Sequence, residues 1–362
     1  MKAEKEKITT RQLMLLFIVS TFSPATRAFP TFTAKIAKEA GWLSPIVAFA
    51  GMVILVIVVQ SFFKKDKSLN LSDVIYNILG KIIGRVIVSV YFVWILLLLA
   101  FYVRNYAERI LTLILPNTTM NFFTITMLLL VFFVVRGGIV SLVRLNEVLF
   151  LGITIAFGIT TILSFSNFDI TNILPVSYKD ILPITKAGYI IYAIWGIFLF
   201  MFFFADKVSD KERIKRLGIR SAFFLLCVST ALIAVTIGGL GQSLTTRISV
   251  PYFVTIKNIS ILNILERFES VILSIWVAAD FVIISTLMYI LVSIMKSLFK
   301  LSGTKSFVSP LTLITYFLTI GIAKNHFELE SFLEYIVLPF SVILEFAAPI
   351  VLFAIGKVRK VI

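Results

Sequence analysis

Residues 13–30 read Leu13-Met14-Leu15-Leu16-Phe17-Ile18-Val19-Ser20-Thr21-Phe22-Ser23-Pro24-Ala25-Thr26-Arg27-Ala28-Phe29-Pro30. The run is apolar enough to enter a bilayer, yet it turns polar at its middle and carries an arginine between two prolines. Each proline removes a backbone donor and biases the residue before it away from the α region. Irregular backbone at membrane depth is tolerated only where protein or a water-filled cavity surrounds it. The stretch therefore predicts a membrane helix broken at residues 23–27, with the break lining an enclosed cavity.

Working outward, nine further apolar runs follow the first. A hydrocarbon core needs about 20 apolar residues per helix. The expected spans lie near 12–36, 43–63, 84–115, 121–135, 147–165, 187–205, 217–241, 269–299, 308–322 and 335–356. The chain is 59% hydrophobic and holds 35 phenylalanines, a membrane profile. With the N-terminus placed in the cytoplasm, 23 of the 34 Lys and Arg fall in inner segments and eight in outer ones. Charges within three residues of a span end are counted with the adjoining segment, and Arg27, Arg104 and Arg109 lie deeper within spans. That asymmetry follows the positive-inside rule, so both termini are expected in the cytoplasm. The formal charge of +15 then sets topology and meets lipid; nucleic acid is not an expected partner. The first run lacks a small-residue cleavage site and reads as a retained helix. Cys227 and His326 are each the sole residue of their type. The sequence holds no disulfide pair, metal cluster, nucleophilic triad or phosphate loop. No enzyme, cofactor or metal is expected.

The ten runs read as five plus five. Spans 3 and 8 are both long, and spans 4 and 9 both short. Between spans 2 and 3, Val74, Ile75, Ile78, Leu79, Ile82 and Ile83 share one helical face, with Ser72 or Asp73 as cap. Between spans 7 and 8, Ile259, Ile261, Leu262, Ile264, Leu265 and Phe268 form a counterpart. An odd number of spans per half inverts the second half, as in many secondary transporters. The repeats are expected over about 8–165 and 187–356, within one permease-like unit covering residues 1–362. Span 6 should then break like span 1, and Gly196 in Tyr192-Ala193-Ile194-Trp195-Gly196-Ile197-Phe198 is the position for it.

Several motifs resemble the spore germination permeases, the B subunits of nutrient germinant receptors in the amino acid–polyamine–organocation superfamily. They are Ile8-Thr9-Thr10-Arg11-Gln12-Leu13, Lys38-Glu39-Ala40-Gly41-Trp42, Arg136-Gly137-Gly138-Ile139 with Arg144-Leu145-Asn146-Glu147, Asn172-Ile173-Leu174-Pro175-Val176, and Leu265-Glu266-Arg267-Phe268-Glu269 with Ile275-Trp276-Val277. The resemblance implies an all-α LeuT-like five-plus-five inverted repeat with helices 1 and 6 broken. It also implies germinant-receptor A and C subunits as partners and a spore inner membrane location. The chain departs from the family at residues 23–27, where relatives carry small residues. It departs again at residues 193–197, which lack the acid that relatives often carry.

Charges at membrane depth point to function by their cost. Arg27, Asp280 and Glu345 are expected to face the interior. Arg27 either holds an anionic substrate group or pairs with Asp280 or Glu345 to set helix register. The carboxylate left over, Asp280 or Glu345, becomes a proton-carrier candidate. Arg104 and Glu108 are four apart on one helical face, and the Arg104–Arg109 cluster of the long span 3 is expected at the outer interface. The expected ligand-binding set is Ser23, Ala25, Thr26, Arg27, Trp195, Gly196, Trp276 and Asp280. Two functions remain open: a germinant-receptor subunit that binds an amino acid or sugar, and a proton-coupled amino-acid permease. A scaffold with a dead cavity is the third class.

Overall fold

Thr9 starts the first helix. Its hydroxyl accepts the Gln12 N–H at 3.2 Å, and the Gln12 side chain accepts the Thr9 N–H at 2.9 Å, a reciprocal cap. The computed structural model describes residues 7–362 except 114, 259–267, 301, 302 and 304. From the cap, α1 runs unbroken over Thr10–Ala37 with Pro24 and Pro30 inside it. The break expected at residues 23–27 is therefore absent. Hydroxyls brace the helix around the prolines: Thr21 donates to Ile18 O at 2.8 Å, Thr26 to Ser23 O at 2.9 Å and Thr33 to Phe29 O at 2.7 Å. Helices on several sides also support it, since α1 packs against α6, α7, α9 and α11 defined below. Membrane helices tolerate proline in that setting.

A 3-10 turn, Lys38–Leu43, leads into α2, Ser44–Phe62. The amphipathic α3 covers Leu71–Leu79 and buries Leu71, Val74, Ile75 and Ile78. Its cap is Asn70, not Ser72 or Asp73: Asn70 accepts the Asp73 N–H and Asp73 accepts the Asn70 N–H. Ile82 and Ile83 belong to the next helix and are exposed. Gly80 separates the two with φ +82° and open space around its Cβ position, so the demand for glycine is conformational. The next helix, α4, covers Lys81–Leu113, roughly 50 Å at 1.5 Å per residue. α5, Met120–Gly137, and α6, Ile139–Ser164, meet at Gly138 alone, whose φ is +88°. The Arg136-Gly137-Gly138-Ile139 motif is thus a one-residue corner.

Span 6 tightens after Gly196. α7, Ile181–Trp195, ends at Gly196; α8, Ile197–Phe200, is a single turn; a 3-10 stretch, Met201–Lys207, completes it. This span is the most enclosed, with 94% of its apolar window buried against 28% for Ile139–Asn167. Phe202, Phe203 and Phe204 accordingly pack against helices, not lipid. α9, Ile214–Thr245, kinks at Gly241, and α10, Pro251–Lys257, follows. α11 covers Phe268–Phe299 and α12 Val308–Gly321. The expected amphipathic counterpart at 259–268 lies outside the described residues, apart from Phe268 at the start of α11.

The last span is a rod, His326–Val358, with π-helical turns at Leu333–Val337 and Ile343–Ala347. Pro339 and Pro349 lack the N–H groups that the Tyr335 and Glu345 carbonyls would need in α-register. Each π turn widens the register just before its proline. Eight stretches among the described residues are long and apolar enough to cross a membrane. One of them, Thr10–Phe62, contains both α1 and α2, and the 14-residue α12 falls below the length counted. One short clasp joins distant segments: the Ile8 N–H donates to Lys207 O at 2.9 Å and the Ser209 N–H to Ile8 O at 3.0 Å. Asp210 adds to it by accepting the Thr10 N–H at 2.6 Å. The entry of α1 is thereby tied to the exit of span 6.

Candidate functional site

Leu98, Phe101, Tyr102, Asn105 and Arg109 recur at helical spacing and give α4 one face toward a cavity of about 40 Å³. α1, the α7–α8 junction, α11 and the rod supply the other walls. That volume admits about three waters, so the site is closed around a small space. Arg109 and Asp280 form an ion pair in the wall, with Asp280 3% and Arg109 8% exposed. Ser23 joins them: its hydroxyl donates to Asp280 Oδ1 at 2.5 Å and accepts from Arg109 Nη1 at 3.0 Å. The guanidinium also lies 5.4 Å from the Trp276 ring centroid, a cation–π distance. Additional hydrogen bonds are what make a buried ion pair tolerable. The cluster fastens α1, α4 and α11 to one another.

The structure corrects two assignments. Asp280 pairs with Arg109, not with Arg27, and Arg109 lies in the cavity wall, not at the outer interface. Arg27 is half-buried in the same wall, with no hydrogen bond or ion pair among the described residues. Glu345 projects from the second π turn, is 2% exposed, and leaves Oε2 without a hydrogen-bond partner among the described residues. It stands against Gly196. A Cβ on Gly196 would lie 2.7 Å from Glu345 Cβ and collide with the carboxylate. Glycine is needed there for close approach. Tyr91 holds the same π turn by donating to Leu344 O at 2.7 Å.

Of the other expected residues, Ala25 and Thr26 face away, toward an apolar cavity of about 30 Å³ shared with Phe157 and Phe224. Trp195 is buried outside the wall and its Nε1 lacks a partner. Trp276 backs Arg109. The structure thus brings Ser23, Arg27, Asp280 and Glu345 together, sets Gly196 behind Glu345, and separates Ala25, Thr26 and Trp195 from the cavity.

A second cavity of about 300 Å³ adjoins the first and shares Arg27, Asn105 and Arg109 with it. Val250, Phe253, Glu108 and His326 complete its wall. Glu108 is 3.8 Å from Arg104, as the i,i+4 spacing implies, and 4.0 Å from His326. His326 also approaches Glu330 at 3.2 Å and begins the rod, so it belongs to a charged cluster. Sequence reasoning missed Tyr102, Asn105, Arg109 and Ser341 as wall residues. The stripe at 98, 101, 102, 105 and 109 was the available signal for α4; nothing comparable marks Ser341.

The chemistry on offer is compact. Arg109 is neutralised by Asp280. Arg27 is a planar donor set suited to a carboxylate or another bidentate anion. Glu345 is a carboxyl group that can hold a proton or accept a hydrogen bond.

Two solved structures share the architecture. MhsT in complex with L-phenylalanine matches with TM-score 0.67 and 13% identity, over 92% of this chain and 87% of that one. Mhp1, a nucleobase-cation-symport-1 family transporter with bromovinylhydantoin bound, matches with TM-score 0.63 and 13% identity, over 94% and 78%. At that identity the likeness establishes a LeuT-like fold alone. Spore germination protein KB of Bacillus subtilis (strain 168) is 23% identical over 367 residues, covering 99% of this chain and 96% of that protein. The sequence profile described as spore germination protein matches residues 7–327, and the chain belongs to that family.

Proposed function

We propose that this chain is the permease-like B-type subunit of a germinant receptor and binds a small nutrient bearing a carboxylate in the cavity between α1, α4, α11 and the rod. Ten spans carry it: α1, α2, α4, α5 and α6 in a first repeat over about 8–165, and α7–α8, α9, α11, α12 and the rod in a second over about 187–356. Both termini lie in the cytoplasm, as the basic loops require, and the membrane is the spore inner membrane. The observation that carries the reading is Arg27, which lines both cavities and makes no hydrogen bond or contact ion pair among the described residues. A nutrient enters through the larger cavity, places its carboxylate on Arg27, and meets Ser23 and Glu345 beyond. The Ile8–Lys207 clasp closes the opposite face in this conformer. Ligand binding shifts the equilibrium between open and closed states only through differential affinity, and partner A and C subunits read that shift.

The test is a germination assay on spores carrying Arg27→Ala or Arg27→Lys, with membrane levels verified, across amino acids and sugars. Loss of response to carboxylate nutrients in Arg27→Ala is expected. An unchanged response defeats the assignment. A second reading, a proton-coupled amino-acid permease, is favoured by one observation, the buried Glu345 Oε2 left without a hydrogen bond among the described residues. Uptake by the purified chain in vesicles under a pH gradient, lost in Glu345→Gln, would establish it.

A further inference from the structure

Outside the cavity, α4 and the rod leave a trench of about 940 Å³ between them on the outer surface. Val86, Val90 and Val93 form one bank and Phe340 and Leu344 the other. The two helices touch where Trp94 stacks on Phe340, ring centroids 5.5 Å apart. Exposed apolar side chains are ordinary in a bilayer; a concave apolar channel with charge at only one end is not. Lys81 and Arg85 supply that charge. They stand one helical turn apart at the mouth, and neither has an acidic partner among the described residues. Arg359 lies close in the chain path, donating to Ile78 O at 2.7 Å just before Gly80.

The dimensions identify the occupant. Arg85 to Leu97 spans twelve residues of α4, about 18 Å at 1.5 Å per residue. One leaflet contributes half of a hydrocarbon core about 30 Å thick. The channel is therefore about one acyl chain deep, and its cations stand at headgroup level. Basic pockets beside membrane helices suit anionic headgroups.

We propose that this trench is a binding site for one anionic phospholipid, with its phosphate on Lys81 and Arg85 and an acyl chain along Val86, Val90, Val93 and Phe340. The site is independent of the nutrient cavity. The bound chain lies against Leu344, next to Glu345, and so supports the π turn from its outer side.

The experiment is native mass spectrometry of the full-length protein in detergent, titrated with phosphatidylglycerol or phosphatidylcholine of identical chains. Phosphatidylglycerol is expected to be retained preferentially, at one molecule per chain. Lys81→Ala/Arg85→Ala should weaken its retention about 30-fold, the effect of two basic groups near an anionic surface. The charge-keeping Lys81→Arg/Arg85→Lys swap should retain it, and Val90→Trp should expel it by filling the trench. Equal retention of the two lipids, or full retention by the alanine variant, overturns the proposal. So does capture of a protein in place of lipid by a photo-crosslinker at Val93→Cys in a Cys227→Ser background, tested in spore membranes. That result would make the trench the seat of a partner's helix.

Discussion

α1 and span 6 each meet the cavity with a residue able to interrupt a helix, and they respond differently: α1 stays regular while span 6 tightens into 3-10 geometry. α1 carries Pro24 and Pro30 and stays helical from Thr10 to Ala37. Span 6 carries a single Gly196, keeps φ −62° and ψ −18° there, and passes through one further turn into a 3-10 stretch. Missing donors alone do not break a membrane helix when hydroxyls bond to nearby carbonyls and neighbours hold the rod. A close side chain accompanies the tightening: Glu345 occupies the space that a Cβ at position 196 would need. The Ser23–Asp280–Arg109 cluster pins α1 at the corresponding depth.

The largest test of that contrast is Asp280→Ala. It removes the acceptor that anchors α1 and leaves Arg109 buried without its counter-charge, a change that costs about 3–5 kcal/mol. Thermal unfolding in detergent should show it, and Arg109→Met in the same chain should recover much of the loss. Full stability of the single variant would show that α1 is held by packing alone. Next comes Gly196→Ala, where overpacking costs about 1–3 kcal/mol. Adding Glu345→Ala should restore stability if Glu345 is what fills the gap; failure to restore it would place the strain in the backbone. Tyr91→Phe removes one hydrogen bond to the π turn and should cost about 1 kcal/mol. The smallest effect is expected from Pro24→Ala, within about 1 kcal/mol of wild type, because α1 is already helical there. A large loss in that variant would break the comparison.

The spans were legible because a bilayer imposes one length and one polarity on every crossing helix. The amphipathic α3 was legible for a similar reason: its 3.6-residue period survives in sequence, although Asn70 shows how easily a cap shifts by two positions. The corner at Gly138 could be read as a motif but not as a geometry. The pairing of Arg109 with Asp280 was not legible, since the partners lie 171 residues apart and no local pattern links them. Arg27, with its prolines, drew the attention instead. The π turns were hidden too: Pro339 and Pro349 signal disturbed helix but do not say whether it kinks, stops or widens. Ala25 and Thr26 lie off the first cavity, although a break was expected to turn both faces of the segment inward. In an intact helix they face α6 and α9, away from Ser23.

The one-residue joint at Gly138 also has a mechanical meaning. An elbow with a fixed positive φ leaves no slack for one arm to slide past the other. α6 rests on α1 and α11, and α5 on α4, α11 and α12, so both arms bear on the helix that carries Asp280. A tilt of either arm is delivered to the other as torque. Because the two arms share α11, that torque bears on the helix whose Asp280 pairs with Arg109.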